Sequence, residues 1–256
     1  MSFINKVFAS VGIGGAEIDV ILDNNIFTVG EEINGRIEVK GGSIEQKIES
    51  LYLTLKTNFL RKIDEKMVKD IATIGRFQLS ECFTIKPNEK IERPFSFTLS
   101  VDTPLTYGKT KIWIESGADI KNAIDPTDKD YIKVVPNELM AAVINSVANL
   151  GFSLRNADCE LVPNAIRNRL PIIQEFEFVP YEGIFRGRLE ELEIVFVNQS
   201  NHRLNLFMEM DRKERGLVGF FSEAFEMDEK KIQLSLTNAD IPYMEEKIIG
   251  AIKAYI

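Results

Sequence analysis

Short runs of alternating apolar and polar residues recur along most of this chain, and a period of two confines them to strands with one buried face. "AEIDVILD" sets Ile18, Val20 and Leu22 against Asp19 and Asp23. "IESLYLTLKTNFL" puts Leu51, Leu53 and Leu55 on one side, with Tyr52, Thr54 and Lys56 on the other. "IERPFSFTLSV" turns Phe95, Phe97 and Leu99 inward, and "KTKIWIES" buries either Ile112 with Ile114 or Trp113 on the opposite face. Gly, Pro and Asn separate the runs, as in "TVGEE" and in the "KPNEK" turn at Lys86–Lys90. Many short strands punctuated in this way predict an antiparallel β-sandwich.

The pattern breaks near Val135. "PNELMAAVINSVANLGF" has Pro136 at its entrance, Gly151 at its exit and Leu139, Met140, Val143, Ile144, Val147 and Leu150 at helical spacing. A lone helix between β-rich halves is a connector, so 1–134 is read as one sandwich and 135–256 as the connector with a second. In the second half, "IIQEFEFVP" alternates Ile173, Phe176 and Phe178 in part. "GRLEELEIVFVNQ" follows with Leu189, Leu192, Ile194 and Phe196, and "RLNLFMEMD" with Leu204, Leu206, Met208 and Met210. The tail returns to helical spacing through Ile241, Met244, Ile248, Ile249, Ile252 and Tyr255. Phe3, Ile4, Val7, Phe8 and Val11 make one face of a short N-terminal helix, stopped at "GIGG" and packed on its own domain.

With 256 residues there is room for two ordinary domains. A net charge of −8 without a basic groove legible in the sequence argues against nucleic acid. Cys82 and Cys159 are read as two buried thiols in a reducing compartment, and with His202 the only histidine a Cys/His zinc site is not expected. No secretory leader and no membrane span are read, so a cytoplasmic protein is expected.

Catalytic motifs are scarce. "YGKT" at Tyr107–Thr110 has Thr103 where a phosphate-binding loop needs Gly, and is read as a strand turn. Asp119, Asp125, Asp128 and Asp130 lack the order of a Ca²⁺ loop, and turns between strands account for them. His202 in "NQSNH" has no adjacent nucleophile. No catalytic residue, metal or cofactor is assigned. The stretch that stands out is "DRKERGLVGFF", where Arg212, Lys213 and Arg215 precede Phe220 and Phe221 in an acidic chain. It is either a docking loop, with the cations reading an acidic partner and the two Phe as anchors, or a turn whose aromatics cover a core edge.

"FTVGEEINGRIEV" resembles the P-G-E-x-V-x-G-x-V unit of arrestin-like domains, with Val29 where proline is more usual. "FASVGIGGAEIDV", "WIESGADIKNAIDPTDKDYIKV", "QEFEFVPYEGIFRGRLEELEIVF" and "DRKERGLVGFFSEAFEMDE" resemble, in order, the bacterial sporulation-control protein family. The resemblance implies two consecutive arrestin-like antiparallel β-sandwich domains in a mainly β protein with N-terminal, connector and C-terminal helices. It also implies a non-enzymatic cytoplasmic regulator, or scaffold, that affects sporulation or a related stress or developmental pathway through protein partners. Self-association remains open. A peripheral membrane adaptor, using the N-terminal helix or the Arg212–Phe221 loop, is the rival expectation. A hydrolase around His202 or a Ca²⁺-binding protein ranks below both.

Overall fold

The computed structural model describes residues 15–64, 66–120, 125–161, 170–197, 200, 202–210 and 231–255. Nine strands come first: β1 (Glu17–Leu22), β2 (Ile26–Thr28), β3 (Glu32–Lys40), β4 (Gln46–Ile63), β5 (Lys66–Ser80), β6 (Phe83–Ile85), β7 (Lys90–Thr98), β8 (Ile112–Ile120) and β9 (Thr127–Val135). Helix α1 (Glu138–Asn149) leads to β10 (Phe152–Leu161), β11 (Ile172–Pro180), β12 (Leu192–Val197), β13 (Arg203–Met210) and β14 (Lys231–Thr237). A 3₁₀ turn (Asn238–Tyr243) then feeds α2 (Met244–Tyr255).

The strands form two sheets. One is three-stranded, in the order β1-β3-β7. The other runs β14-β13-β12-β11-β10-β4-β8-β9-β2, with β5 and β6 also on β4. It crosses from the first half to the second where β10 meets β4 in parallel, Glu160 opposite Leu60. Its size is tolerable because a twisted sheet curls as strands are added.

In the first half the two sheets face one another. Ile33, Ile37 and Phe97 of the small sheet pack toward Leu51, Leu53, Leu55 and Ile114 of the large one, all buried. The segment Phe27–Val39 does not form a hairpin. β2 pairs in parallel with β9 of the large sheet, whereas β3 pairs with β1 and β7 of the small one. Gly30, at φ +87°, makes the corner, and its N–H donates to the Leu99 carbonyl at 2.9 Å. The chain thereby steps from one layer of the sandwich to the other.

Helix α1 lies where the sequence places the connector. Asn137 caps it by accepting from Met140 N at 3.0 Å. Gly151, at φ +90°, follows the last turn and donates to Ala148 O at 3.0 Å. Its buried face, with Leu139, Met140, Val143 and Val147, covers the second half's sheet together with Met244, Ile248 and Ile252 of α2. Expectations differ from the structure in three details. Ile172, not Ile173, is inward on β11; Trp113 is buried together with Ile112 and Ile114, on the other side of β8; and Cys82 is exposed while Cys159 is buried. The expected N-terminal helix lies outside the described residues.

Candidate interaction surfaces

Arg212, Lys213, Arg215, Phe220 and Phe221, singled out in the sequence, also lie outside the described residues. Of the other candidates, His202 is exposed in the turn between β12 and β13, where its backbone N–H donates to Ser200 Oγ at 3.4 Å. The four aspartates hold local donors or lie against one another. Asp119 accepts from Ser50 Oγ, and Asp125 accepts from Ile120 N at 2.8 Å. Asp128 lies within β9 and accepts from Val20 N at 3.0 Å, capping the outer edge of β1. Burial, with Asp128 alongside, pushes the Asp130 carboxyl up to about 6.

"YGKT" is a strand turn, Thr110 N donating to Tyr107 O at 3.0 Å, and it also joins the two halves. Gln174, buried on β11, accepts from Leu105 N at 2.7 Å and donates to Leu105 O at 2.8 Å and Thr110 Oγ1 at 3.2 Å. Thr110 Oγ1 donates to Ala157 O at 2.9 Å. Tyr107 meets Phe176 edge-on at 5.9 Å. Beside them Phe59 and Ala72 pack on Cys159 and Ile172. Burial pushes the Cys159 thiol up to about 12, so it sits there as a small apolar side chain. A buried amide that satisfies both polar groups of one opposing residue fixes a single alignment of the halves, since any slip leaves donors and acceptors unpaired.

The outer side of the second half's sheet is acidic. Strand register sets Glu177 opposite Glu193, and Glu193 opposite Glu209. Arg155, at a bulge in β10, bridges Glu177 at 3.2 Å and Glu191. Burial, then Glu193 alongside, pushes the Glu175 carboxyl up to about 10. The native state thus holds a proton that the unfolded chain releases near its ordinary value of 4.5, and stability falls as pH rises above that value. Glu175→Gln removes this loss. From pH 5 to pH 8 its urea-unfolding free energy should fall on the order of 1–3 kcal/mol less than the parent's.

At the far end, β14 is hydrogen-bonded to β13 alone among the described strands. Between β14 and α2 lies a cavity of about 290 Å³, lined by Ile232, Leu234, Leu236, Ala251, Ala254 and Tyr255, with Ser235 and Lys247 also on its wall. The two alanines leave the room that larger helix residues would fill. Among the described residues no helix is long and apolar enough to cross a membrane.

Two curled sheets, a buried amide at the joint between the halves and a cavity beside β14 define a mainly β protein. The family described as "SpoOM protein" matches residues 4–214. The chain is 39% identical, over 96% of its length and 95% of the relative's, to "Sporulation-control protein spo0M" of Bacillus subtilis (strain 168). The crystal structure of Spo0M from Bacillus subtilis superposes with a TM-score of 0.89 at 37% identity, covering 95% of this chain and 100% of that one. The chain belongs to the SpoOM protein family.

Proposed function

We propose that the protein is a non-enzymatic regulator of sporulation, or of a related developmental pathway, that acts by docking on other proteins. Its relationship to a sporulation-control protein along nearly the whole of both chains supports the regulatory role. The observation that carries the docking mechanism is the end strand β14 beside its apolar cavity. An extended partner segment laid along β14 adds to the ladder beyond the described strands, and alternate side chains of that segment point toward α2. One apolar side chain then fills the space above Ala251. Backbone pairing supplies affinity and the cavity supplies selectivity.

A photoreactive phenylalanine analogue at Ser235, on the cavity wall, tests the mechanism in sporulating cells. A discrete cross-linked product is expected, and it should disappear with Ala251→Trp, which fills the cavity. Cells that sporulate normally without such a product, or a product unaffected by Ala251→Trp, would refute docking at this site.

A further inference from the structure

One side of the first half's sheet carries charge opposite to that of the chain as a whole. Leu51, Leu53, Leu55 and Phe59 of β4 are buried, and Lys56, Asn58 and Lys62 lie on the other side of the strand. Register carries that side across the neighbouring strands. Lys56 is opposite Trp113 and Trp113 opposite Tyr131; Asn58 is opposite Ile71 and Lys62 opposite Met67. Lys62, Lys69, Lys111, Lys129 and Lys133 are all exposed on it, in a chain of net charge −8.

Its acids are already engaged: Glu115 pairs with Lys56, and Asp119 accepts from Ser50. Beyond Leu60 the side continues to Glu160 of β10. Lys129 Nζ lies 4.1 Å from the Trp113 ring and 4.8 Å from the Tyr131 ring, and Arg76 lies 4.0 Å over Tyr52. Among the cations three apolar or aromatic side chains stand out in solvent: Met67 at 51% exposure, Ile71 at 57% and Tyr131 at 56%.

We infer that this sheet side, from Met67 and Ile71 to Tyr131 and Lys133, docks on an anionic lipid surface. The surface is distinct from the β14 groove and does not depend on it. Lysines spread over three strands and the entrance to a fourth neutralise a diffuse layer of headgroups. Recognition of a single planar anion would instead call for a fixed guanidinium fork. Exposed apolar and aromatic side chains at the level of the ammonium groups are what an interface between water and acyl chains accommodates. At about 4.8 Å between strands and about 3.3 Å per residue along them, the cations spread over an area of several lipid headgroups.

Flotation with vesicles of equal parts phosphatidylglycerol and phosphatidylcholine tests the inference, with pure phosphatidylcholine as the neutral comparison. The protein should float with the first and not the second. It should come off as salt rises from ~0.05 M to ~0.5 M, because screening shortens. Lys111→Gln/Lys129→Gln/Lys133→Gln should weaken binding on the order of 100-fold. Because Lys129 covers Trp113, a second variant, Lys111→Gln/Lys133→Gln, keeps that contact and should still lose about 30-fold. Lys40→Gln/Lys90→Gln alters ion-paired lysines of the small sheet and should change nothing.

In Ile71→Trp the added indole should shift to the blue and be quenched by brominated acyl chains. No flotation with anionic vesicles, flotation undiminished in the lysine variants, or loss on Arg212→Ala/Arg215→Ala instead would each overturn the inference. Binding to polyglutamate but not to vesicles would overturn it in favour of an acidic protein partner. A spore count is independent of all these readings, so failure here leaves the regulatory role standing.

Discussion

Gln174→Leu should lower the unfolding free energy by about 3 kcal/mol although Leu is the more apolar residue. The side chain is buried, and its amide satisfies both the N–H and the carbonyl of Leu105 while also donating to Thr110. Leu removes the partners and leaves two buried backbone groups of the other half desolvated, at about 1–3 kcal/mol each. The transfer gain of an extra apolar side chain is smaller than that sum because the site is shaped for a planar amide. Urea unfolding followed by circular dichroism measures the difference. A change under ~1 kcal/mol would mean that the joint is wet and the amide replaceable.

Two glycine-to-alanine changes should move stability in opposite directions. Gly151 has φ +90°, and a Cβ there would lie 2.4 Å from the Glu182 carbonyl oxygen. That contact is with backbone, held by Tyr181 N and Glu182 N donating to Gly151 O at 3.0 and 3.2 Å. Gly151→Ala therefore combines a left-handed backbone with displacement of the chain after β11, at about 3 kcal/mol or more of lost stability. Gly250 lies in the middle of α2, with nothing within 4 Å of where its Cβ would be. Gly250→Ala should gain about 1 kcal/mol. Melting midpoints of the pair separate the two causes, since both add the same methyl group.

Most strands were legible because one face of each is buried and the side-chain period is fixed by the pleat. Leu51, Leu53, Leu55, Phe95 and Phe97 announce their side in the sequence and occupy it. Helix α1 was legible from both ends, through Pro136 and Gly151. The pairing of strands was not. Nothing local in "FTVGEEINGRIEV" says that β2 and β3 belong to different layers, because that depends on Gly30 being held by Leu99, some seventy residues further on. The run of β10 onto β4 is likewise a long-range contact.

The candidate surfaces divide along the same line. Gln174 carried a readable signal, since its place in "IIQEFEF" puts it on the side of Phe176 and Phe178, where a polar side chain requires a partner. Lys111 and Lys129 gave no sign of a shared patch, because they are far apart in the chain and come together only over the Tyr131 ring. A patch of this kind is not legible along the chain, because a sheet collects charge across its strands.

Counting heat-resistant spores shows whether the protein regulates sporulation through a partner bound beside β14. Bacillus subtilis cells in which this chain replaces the resident sporulation-control protein should recover the spore count of the parent strain. The same chain carrying Ala251→Trp, with an unchanged melting midpoint and equal abundance, should not. A count unaffected by the folded parent chain, or one restored equally by the cavity-filled variant, would rule out regulation through a partner at β14.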